Sequence, residues 1–410
     1  MAALPSEQAE TVLITVSGPD RAGITARLTE LIAQSGVSIL DMEQVVVQGM
    51  LSLSIVLLFS GEAGGTPLLK ELLFAAKGLG LDLDFKVVTG AEPSGDENRT
   101  KSVLTLIGSD GISAPALARI THVLAETGFN IETIQRLEQA NVVCLEMVVS
   151  SLDPKGPRAL KNELLPVAQE HGVDVALQPD TFFRRVKRLV VFDLDSTLIQ
   201  VEIIDEMAEA AGVGAQIKEI THQAMNGQME FRESLEKRVQ ALAGLSVEKL
   251  EQIDRNLAFT PGAEQLIRVL KKMGFRTAVI SGGFTFFTER IQQRLGLDYA
   301  FANQLEIVDG KLTGRLEGTV VDGAQKAALL EQIAAKENIH LDQAIAIGDG
   351  ANDLPMLNTA GLGVAFNAKP VVREAAEHSI NQTRLDAILF LLGISQRDIA
   401  ALDLAGKSAT

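Results

Sequence analysis

The run Leu189-Val190-Val191-Phe192, closed by Asp193-Leu194-Asp195-Ser196-Thr197, constrains the fold more than any other stretch of the chain. It is short, continuously apolar and rich in Val, framed by a basic cluster and a polar turn, as a strand buried on both faces must be. Such a strand belongs to a parallel sheet with helices on both sides. Its first polar residues are two acids. If the strand persists that far, Asp193 and Asp195 share a side at the carboxyl end, where open α/β sheets hold their sites. Taken alone, Asp-Leu-Asp-Ser-Thr reads equally well as a turn and helix cap.

A chain of 410 residues is too long for one ordinary core and points to two to four domains. The −16 formal charge argues against a nucleic-acid partner, because that binding neutralises phosphates with Lys and Arg. The one basic cluster, Arg184-Arg185-Val186-Lys187-Arg188, reads as a solvated strand entrance. No apolar run approaches a membrane span, and Met1-Ala-Ala-Leu-Pro-Ser-Glu-Gln lacks the basic and apolar parts of a secretory signal. The expectation is a cytoplasmic chain with no membrane contact. A single cysteine, Cys144, excludes an internal disulfide framework. The histidines form no His-x-x-x-His pair, so zinc is not expected.

The N-terminal half repeats itself. Strand candidate Thr11 to Val16, the glycine turn Ser17-Gly-Pro-Asp-Arg-Ala-Gly23, and a helix through Ile24, Leu28, Leu31 and Ile32 are followed by extended runs at Ser38-Ile39, Gln44 to Gln48 and Leu51 to Phe59. A helix over Pro67 to Gly78 and a strand over Leu83 to Val88 close the unit. The pattern returns with Val103 to Ile107, Gly108-Ser-Asp-Gly-Ile-Ser, a helix over Pro115 to Glu126, extended Gly128 to Ile131, and a strand over Val142 to Val149. A helix over Pro157 to His171 and a strand over Asp174 to Leu177 complete it, and residues 90–100 have linker composition. Strand, helix, two strands, helix, strand is the ferredoxin-like arrangement.

The C-terminal half supplies further pieces of one site. Helical patterns over about Ile203 to Leu257 suit a cap over the mouth of the sheet. A second buried strand, Phe275 to Ile280, leads into Ser281-Gly282-Gly283-Phe284 and a helix; small residues there let backbone N–H groups approach an anion such as phosphate. Lys326 opens another helix, and Ala344 to Gly348 is a strand ending in Asp349-Gly350-Ala351-Asn352-Asp353. Acids at the ends of two separate strands make a hard, all-oxygen cation site suited to Mg²⁺. A lone lysine or acidic turn is ordinary surface; the four pieces together form a constellation.

Both N-terminal copies resemble the ACT domain, a regulatory module that in its family commonly binds amino acids between paired domains. Asp-x-Asp-Ser-Thr, Ser-Gly-Gly, Lys and Gly-Asp-Gly-x-Asn-Asp, in that order, resemble the haloacid dehalogenase superfamily from about Leu189 to Leu392. The resemblances imply an α/β fold: a Rossmann-like parallel-sheet core (186–395, cap about 199–260) preceded by two ferredoxin-like α+β ACT domains (11–90 and 101–179). Glu202, Met225, Phe231 and Arg238 resemble the cap of the phosphoserine phosphatases.

That resemblance implies Mg²⁺-dependent hydrolysis of O-phospho-L-serine, the last step of serine biosynthesis. Asp193 would be the nucleophile and Asp195 the general acid and base. A carboxylate about 4 Å from a phosphate dianion is opposed by on the order of 8 kcal/mol at an effective dielectric near 20. Mg²⁺ on the carboxylates of Asp193 and Asp349 and the backbone carbonyl of Asp195, with Lys326 as a point charge, offsets it. Ser281 and Gly282 are expected on the phosphoryl oxygens, Asn352 at the phosphate or a metal-bound water, and Asp353 behind Lys326 or a bound water. Glu202 and Arg238 would take the ammonium and carboxylate of the substrate; read without the family, both are exposed cap charges. Gly18 and Asp20, with Gly108 and Asp110, mark a possible effector site for an amino acid such as serine, although the glycines also suffice as tight turns. A homodimer through the ACT domains is expected.

Overall fold

The computed structural model describes residues 10–59, 65–88, 99–109, 111–139, 142–153, 155–225 and 228–407. It divides into two compact units, Met1–Asn98 and Arg99–Thr410. Asp110 and most of the linker at 90–100 lie outside the described residues.

The first unit runs β1 (Glu10–Pro19), α1 (Ile24–Ser35), β2 (Ser38–Val47), β3 (Met50–Phe59), α2 (Gly65–Gly78) and β4 (Asp82–Val88), with sheet order β2-β3-β1-β4. Alternation builds its core. Val12, Ile14 and Val16 of β1 face Leu57, Ile55 and Leu53 of β3 in antiparallel register, and Leu28, Ile32, Leu68 and Leu72 cover them. Gly18 has a packing reason to be glycine, since a Cβ there would come within 2.7 Å of Leu81 Cδ2. By contrast β2 is exposed along its whole length, with Leu40, Val45, Val46 and Val47 in contact with solvent.

The second unit begins with the other copy: β5 (Thr100–Gly108), α3 (Ala114–Glu126), β6 (Asn130–Gln139), β7 (Val142–Ser151), α4 (Gly156–His171) and β8 (Asp174–Pro179), in sheet order β6-β7-β5-β8. Gly108 is required for close approach: a Cβ there would lie 2.3 Å from the Gly111 carbonyl oxygen. This copy is built into the rest of the second unit. Ile107, Leu137, Val142, Cys144 and Ala176 belong to one hydrophobic cluster with the buried segment Leu385–Leu392. Polar groups sew the same seam: Gln178 Nε2 donates to the Leu391 carbonyl at 3.1 Å, and buried Asp174 accepts from Asn381 N–H, Asn381 Nδ2 and Gln382 Nε2 at 2.7–2.9 Å.

Of the basic cluster expected to be a solvated strand entrance, Arg185 and Arg188 are exposed as expected, whereas Arg184 and Lys187 are not. Arg184, in α5 (Phe182–Arg185), is nearly buried in an ion pair with Glu146, and buried Lys187 donates to the Asp342 carbonyl at 2.6 Å. A cation can be buried where an acid or carbonyl receives it, and the short run of charges gives no sign of those distant partners.

The remaining chain forms β9 (Leu189–Phe192), cap helices α6 (Ile203–Ala211), α7 (Gly214–Met225), α8 (Phe231–Ala241) and α9 (Val247–Asn256), then α10 (Ala263–Lys272), β10 (Arg276–Phe284), α11 (Thr285–Leu295), β11 (Tyr299–Val308), β12 (Lys311–Glu317), α12 (Gly323–Lys336), β13 (Ala344–Gly348), α13 (Leu354–Thr359), β14 (Leu362–Phe366), α14 (Pro370–Ala375), β15 (His378–Ile380) and α15 (Gln396–Lys407). The sheet order is β12-β11-β10-β9-β13-β14-β15, parallel except for β12. Fully buried β9 packs Val190 and Phe192 with α10 and α11, and Leu189 and Val191 with α12 and α13. The cap leaves and rejoins the core where Ile199 pairs with Phe259. Among the described residues no helix is long and apolar enough to cross a membrane.

Candidate active site

Strand β9 lies between β10 and β13, so successive strands depart from it in opposite directions and a crevice opens at the carboxyl ends. Asp193 is the first residue past β9, its N–H still on the Ile347 carbonyl at 2.8 Å. The strand does not persist to Asp195. Ser196 is left-handed at φ 56°, and a wide turn closes with Ile199 N–H on the Leu194 carbonyl at 3.1 Å. The turn, rather than strand alternation, presents Asp195: its Oδ1 accepts from Ile203 N–H at 2.8 Å and its Oδ2 from Ser281 Oγ at 3.2 Å.

Lys326 is fully buried in the first turn of α12, whose N-terminus is capped by the Asp322 carboxylate on Gln325 N–H. Its ammonium donates to Asp193 Oδ1 and Asp353 Oδ1, both at 2.6 Å. The other oxygen of Asp353, Oδ2, accepts from Gly350 N–H at 2.9 Å. Asp349 Oδ1 accepts from buried Thr197 Oγ1 at 3.1 Å. Among the described residues, one oxygen each from Asp193, Asp349 and Asp353 lies within 4.8 Å of the others, a grouping that can hold a metal ion. The Asp195 side chain is not in that group.

Four carboxylates thus share one lysine. Burial, then the charge of Asp353, holds Asp193 well above the carboxylate range; burial, then Glu202, pushes Asp195 up to about 7; burial, then Asp353, pushes Asp349 up to about 7. Burial works against the Lys326 charge, yet Asp193 and Asp353 raise its pKa. A site this short of positive charge fits a divalent cation.

The cap brings further residues to the crevice. Phe231, at the start of α8, and Asn352 flank Gly282, with Phe231 Cζ 3.4 Å and Asn352 Nδ2 3.9 Å from where a Cβ would stand. Glu202 lies exposed ahead of α6 and accepts from Ser196 Oγ at 2.7 Å. Arg238 is partly buried; desolvation lowers its pKa against the charges of Glu202, Asp205 and Asp195. Met225 ends α7, and its side chain lies outside what is described. Of the residues marked for an effector, Gly18 and Gly108 sit at the ends of β1 and β5, and Asp20 N–H donates to the Gly49 carbonyl.

Asn303 belongs to no motif in the sequence. On β11 and fully buried, it donates from Nδ2 to the Gly282 and Gly283 carbonyls at 2.7 and 3.1 Å and accepts Val321 N–H at 2.7 Å on Oδ1. It therefore ties the Ser-Gly-Gly loop to the approach to α12 and Lys326. The one signal it leaves is a polar pair, Asn303-Gln304, inside the strand run Phe301-Ala-Asn-Gln-Leu. Asn303→Asp keeps an acceptor but loses both donors, and is expected to lower kcat about 10- to 100-fold in steady-state assays.

Comparison with known proteins gives the family. The haloacid dehalogenase-like hydrolase family matches residues 190–358, and ACT domain families match 10–86 and 100–178. The phosphoserine phosphatase of Streptomyces coelicolor is 42% identical over 403 residues, 98% of this chain and 97% of its own. That of Mycobacterium tuberculosis is 41% identical over 400 residues, 96% and 95% of the two chains. A haloacid dehalogenase-family hydrolase of Salmonella enterica serovar Typhi superposes with a TM-score of 0.63 at 34% identity, covering 71% of this chain and 98% of its own. The chain is therefore an enzyme of the phosphoserine phosphatase family, a haloacid dehalogenase-like hydrolase carrying two ACT domains.

Proposed function

We propose that the chain hydrolyses O-phospho-L-serine to L-serine and phosphate through a phosphoaspartyl intermediate with Mg²⁺ bound, as the last step of serine biosynthesis in the cytoplasm. The observation that carries this reading is the Asp193 carboxylate pinned by buried Lys326, with oxygens of Asp349 and Asp353 close enough to share an ion with it. Asp193 attacks phosphorus and the bond to the serine oxygen breaks, with Asp195 giving its proton to that oxygen. Asp195 then takes a proton from the water that cleaves the acyl phosphate, restoring Asp193. Mg²⁺, when bound by Asp193, Asp349 and the Asp195 carbonyl, supplies charge that relieves repulsion between carboxylate and phosphate.

Ser281 Oγ, Gly282 N–H and Asn352 hold the phosphoryl oxygens, Glu202 takes the ammonium, Arg238 the carboxylate, and Met225 and Phe231 wall the site. Asp353 acts behind Lys326, which it holds through Oδ1 at 2.6 Å. We divide the chain at 11–90, 101–179 and 186–395, with the cap at about 199–260, and assign the ACT domains to serine sensing near Gly18, Asp20, Gly108 and Asp110. The exposed apolar strand β2 supports pairing between chains, since an open apolar edge invites a partner.

Phosphate release from a panel of phosphomonoesters, with Mg²⁺ or with chelator, tests the reading. Preference for phosphoserine that chelator abolishes is expected; equal rates across the panel, or rates indifferent to chelator, would overturn it. A stability measurement goes with it. Asp195 and Asp349 titrate higher folded than unfolded, so between about pH 4 and 7 the metal-free folded state holds extra protons. Their contribution to stability is therefore lost as pH rises through that window. Melting curves at pH 5 and 8 are expected to show Mg²⁺ stabilising the chain far more at pH 8.

A further inference from the structure

Ser196 is the one polar residue of the Asp-Leu-Asp-Ser-Thr turn still without a role. It holds a left-handed backbone, φ 56° and ψ 3°, that glycine adopts freely and a residue with a Cβ only at some cost. That geometry aims its hydroxyl at the cap: Oγ donates to Glu202 Oε1 at 2.7 Å, and its N–H donates to the Val201 carbonyl at 3.3 Å. Ile203 N–H on Asp195 Oδ1 at 2.8 Å closes the same loop from the other side.

Glu202 precedes α6 without capping it and is exposed, so nothing in the helix holds its side chain. Ser196 Oγ is its hydrogen-bond partner among the described residues, and Oε2 is left without one. An exposed glutamate held at one oxygen presents the other in a fixed direction. The Glu202 charge lies within electrostatic reach of Asp195, Asp349 and Arg238.

We propose that Ser196 is a positioning residue for substrate selection: its hydroxyl orients Glu202 so that the free oxygen meets the substrate ammonium beside the phosphoryl site. This rests on the reading that phosphoserine is the substrate and Glu202 binds its ammonium. The strained backbone at Ser196 is then the means by which the turn carrying Asp195 also sets the carboxylate that recognises the amino group.

The test compares kcat/KM for phosphoserine with that for 3-phosphooxypropanoate, which is phosphoserine without its amino group, in the full chain. Ser196→Ala removes the hydroxyl; Ser196→Gly removes it and relieves the backbone, so misfolding through strain cannot mask the result. The preference for phosphoserine is expected to fall about tenfold in both, through KM rather than kcat. In a Glu202→Gln background, Ser196→Ala is expected to change the preference no further. A preference kept within about twofold by either variant, or an undiminished effect of Ser196→Ala in that background, overturns the inference alone. An unaltered chain with no preference overturns the phosphoserine reading and this inference with it.

Discussion

Asp193→Asn is expected to lower phosphate release from phosphoserine by at least about four orders of magnitude, while the metal-free chain melts no lower than the unaltered one. An amide has no carboxylate oxygen to attack phosphorus, and no neighbouring acid can replace it. Asp195 is held toward Ile203 and Ser281, Asp353 toward Lys326 and Gly350, and Asp349 toward Thr197. The stability side has the opposite sign from most buried substitutions. Asp193 is buried at an energetic cost that desolvation, Asp353 and Asp195 all raise, so losing its charge relieves the cluster, and an amide oxygen still accepts from Lys326. The Mg²⁺-dependent rise in melting temperature is expected to shrink in the same variant. Initial rates and melting curves with and without Mg²⁺ check all three; turnover within about tenfold of the unaltered chain would remove Asp193 from its role.

The second large effect concerns where the chain can be shortened. A chain beginning at Arg99 is expected to fold and to hydrolyse phosphoserine, because among the described residues its own hydrophobic clusters are built from the second unit. One beginning near Thr181 loses the sheet of the second ACT domain and uncovers apolar surface of the buried segment Leu385–Leu392. It also strands the Leu391 carbonyl, Asn381 and Gln382 without their partners Gln178 and Asp174. Large aliphatic side chains contribute about 1.5–3 kcal/mol each when buried, so exposing two or three costs about 5 kcal/mol, comparable to the whole stability of many domains. Denaturant midpoints and solubility of the two chains decide it: the longer is expected to be soluble and cooperative, the shorter strongly destabilised. Equal midpoints would contradict a load-sharing seam.

Local pattern reveals much of this architecture. The period-two alternation of Val12, Ile14 and Val16, the continuous apolar run Leu189–Phe192, and the glycine turns at Gly18 and Gly108 each report their element without help from distant residues. The grouping of Asp193, Lys326, Asp349 and Asp353 is legible because each ends a strand or opens a helix at one edge of a parallel sheet. The features that stay hidden depend on partners far off in the chain. Arg184 and Lys187 look solvated until Glu146 and the Asp342 carbonyl are beside them, and Asn303 looks like an ordinary strand residue until it meets two loop carbonyls. Asp195 reaches the crevice by a different route from the one its spacing suggests, through a left-handed serine no periodicity announces.

Acid quenching during turnover of phosphoserine, followed by peptide mapping, tests the central claim most directly. The account predicts a phosphoryl group on the peptide containing Asp193, released by hydroxylamine as an acyl phosphate is and absent from Asp193→Asn. Steady turnover with no covalent phosphate under any quench, or with the label on another residue, would contradict it.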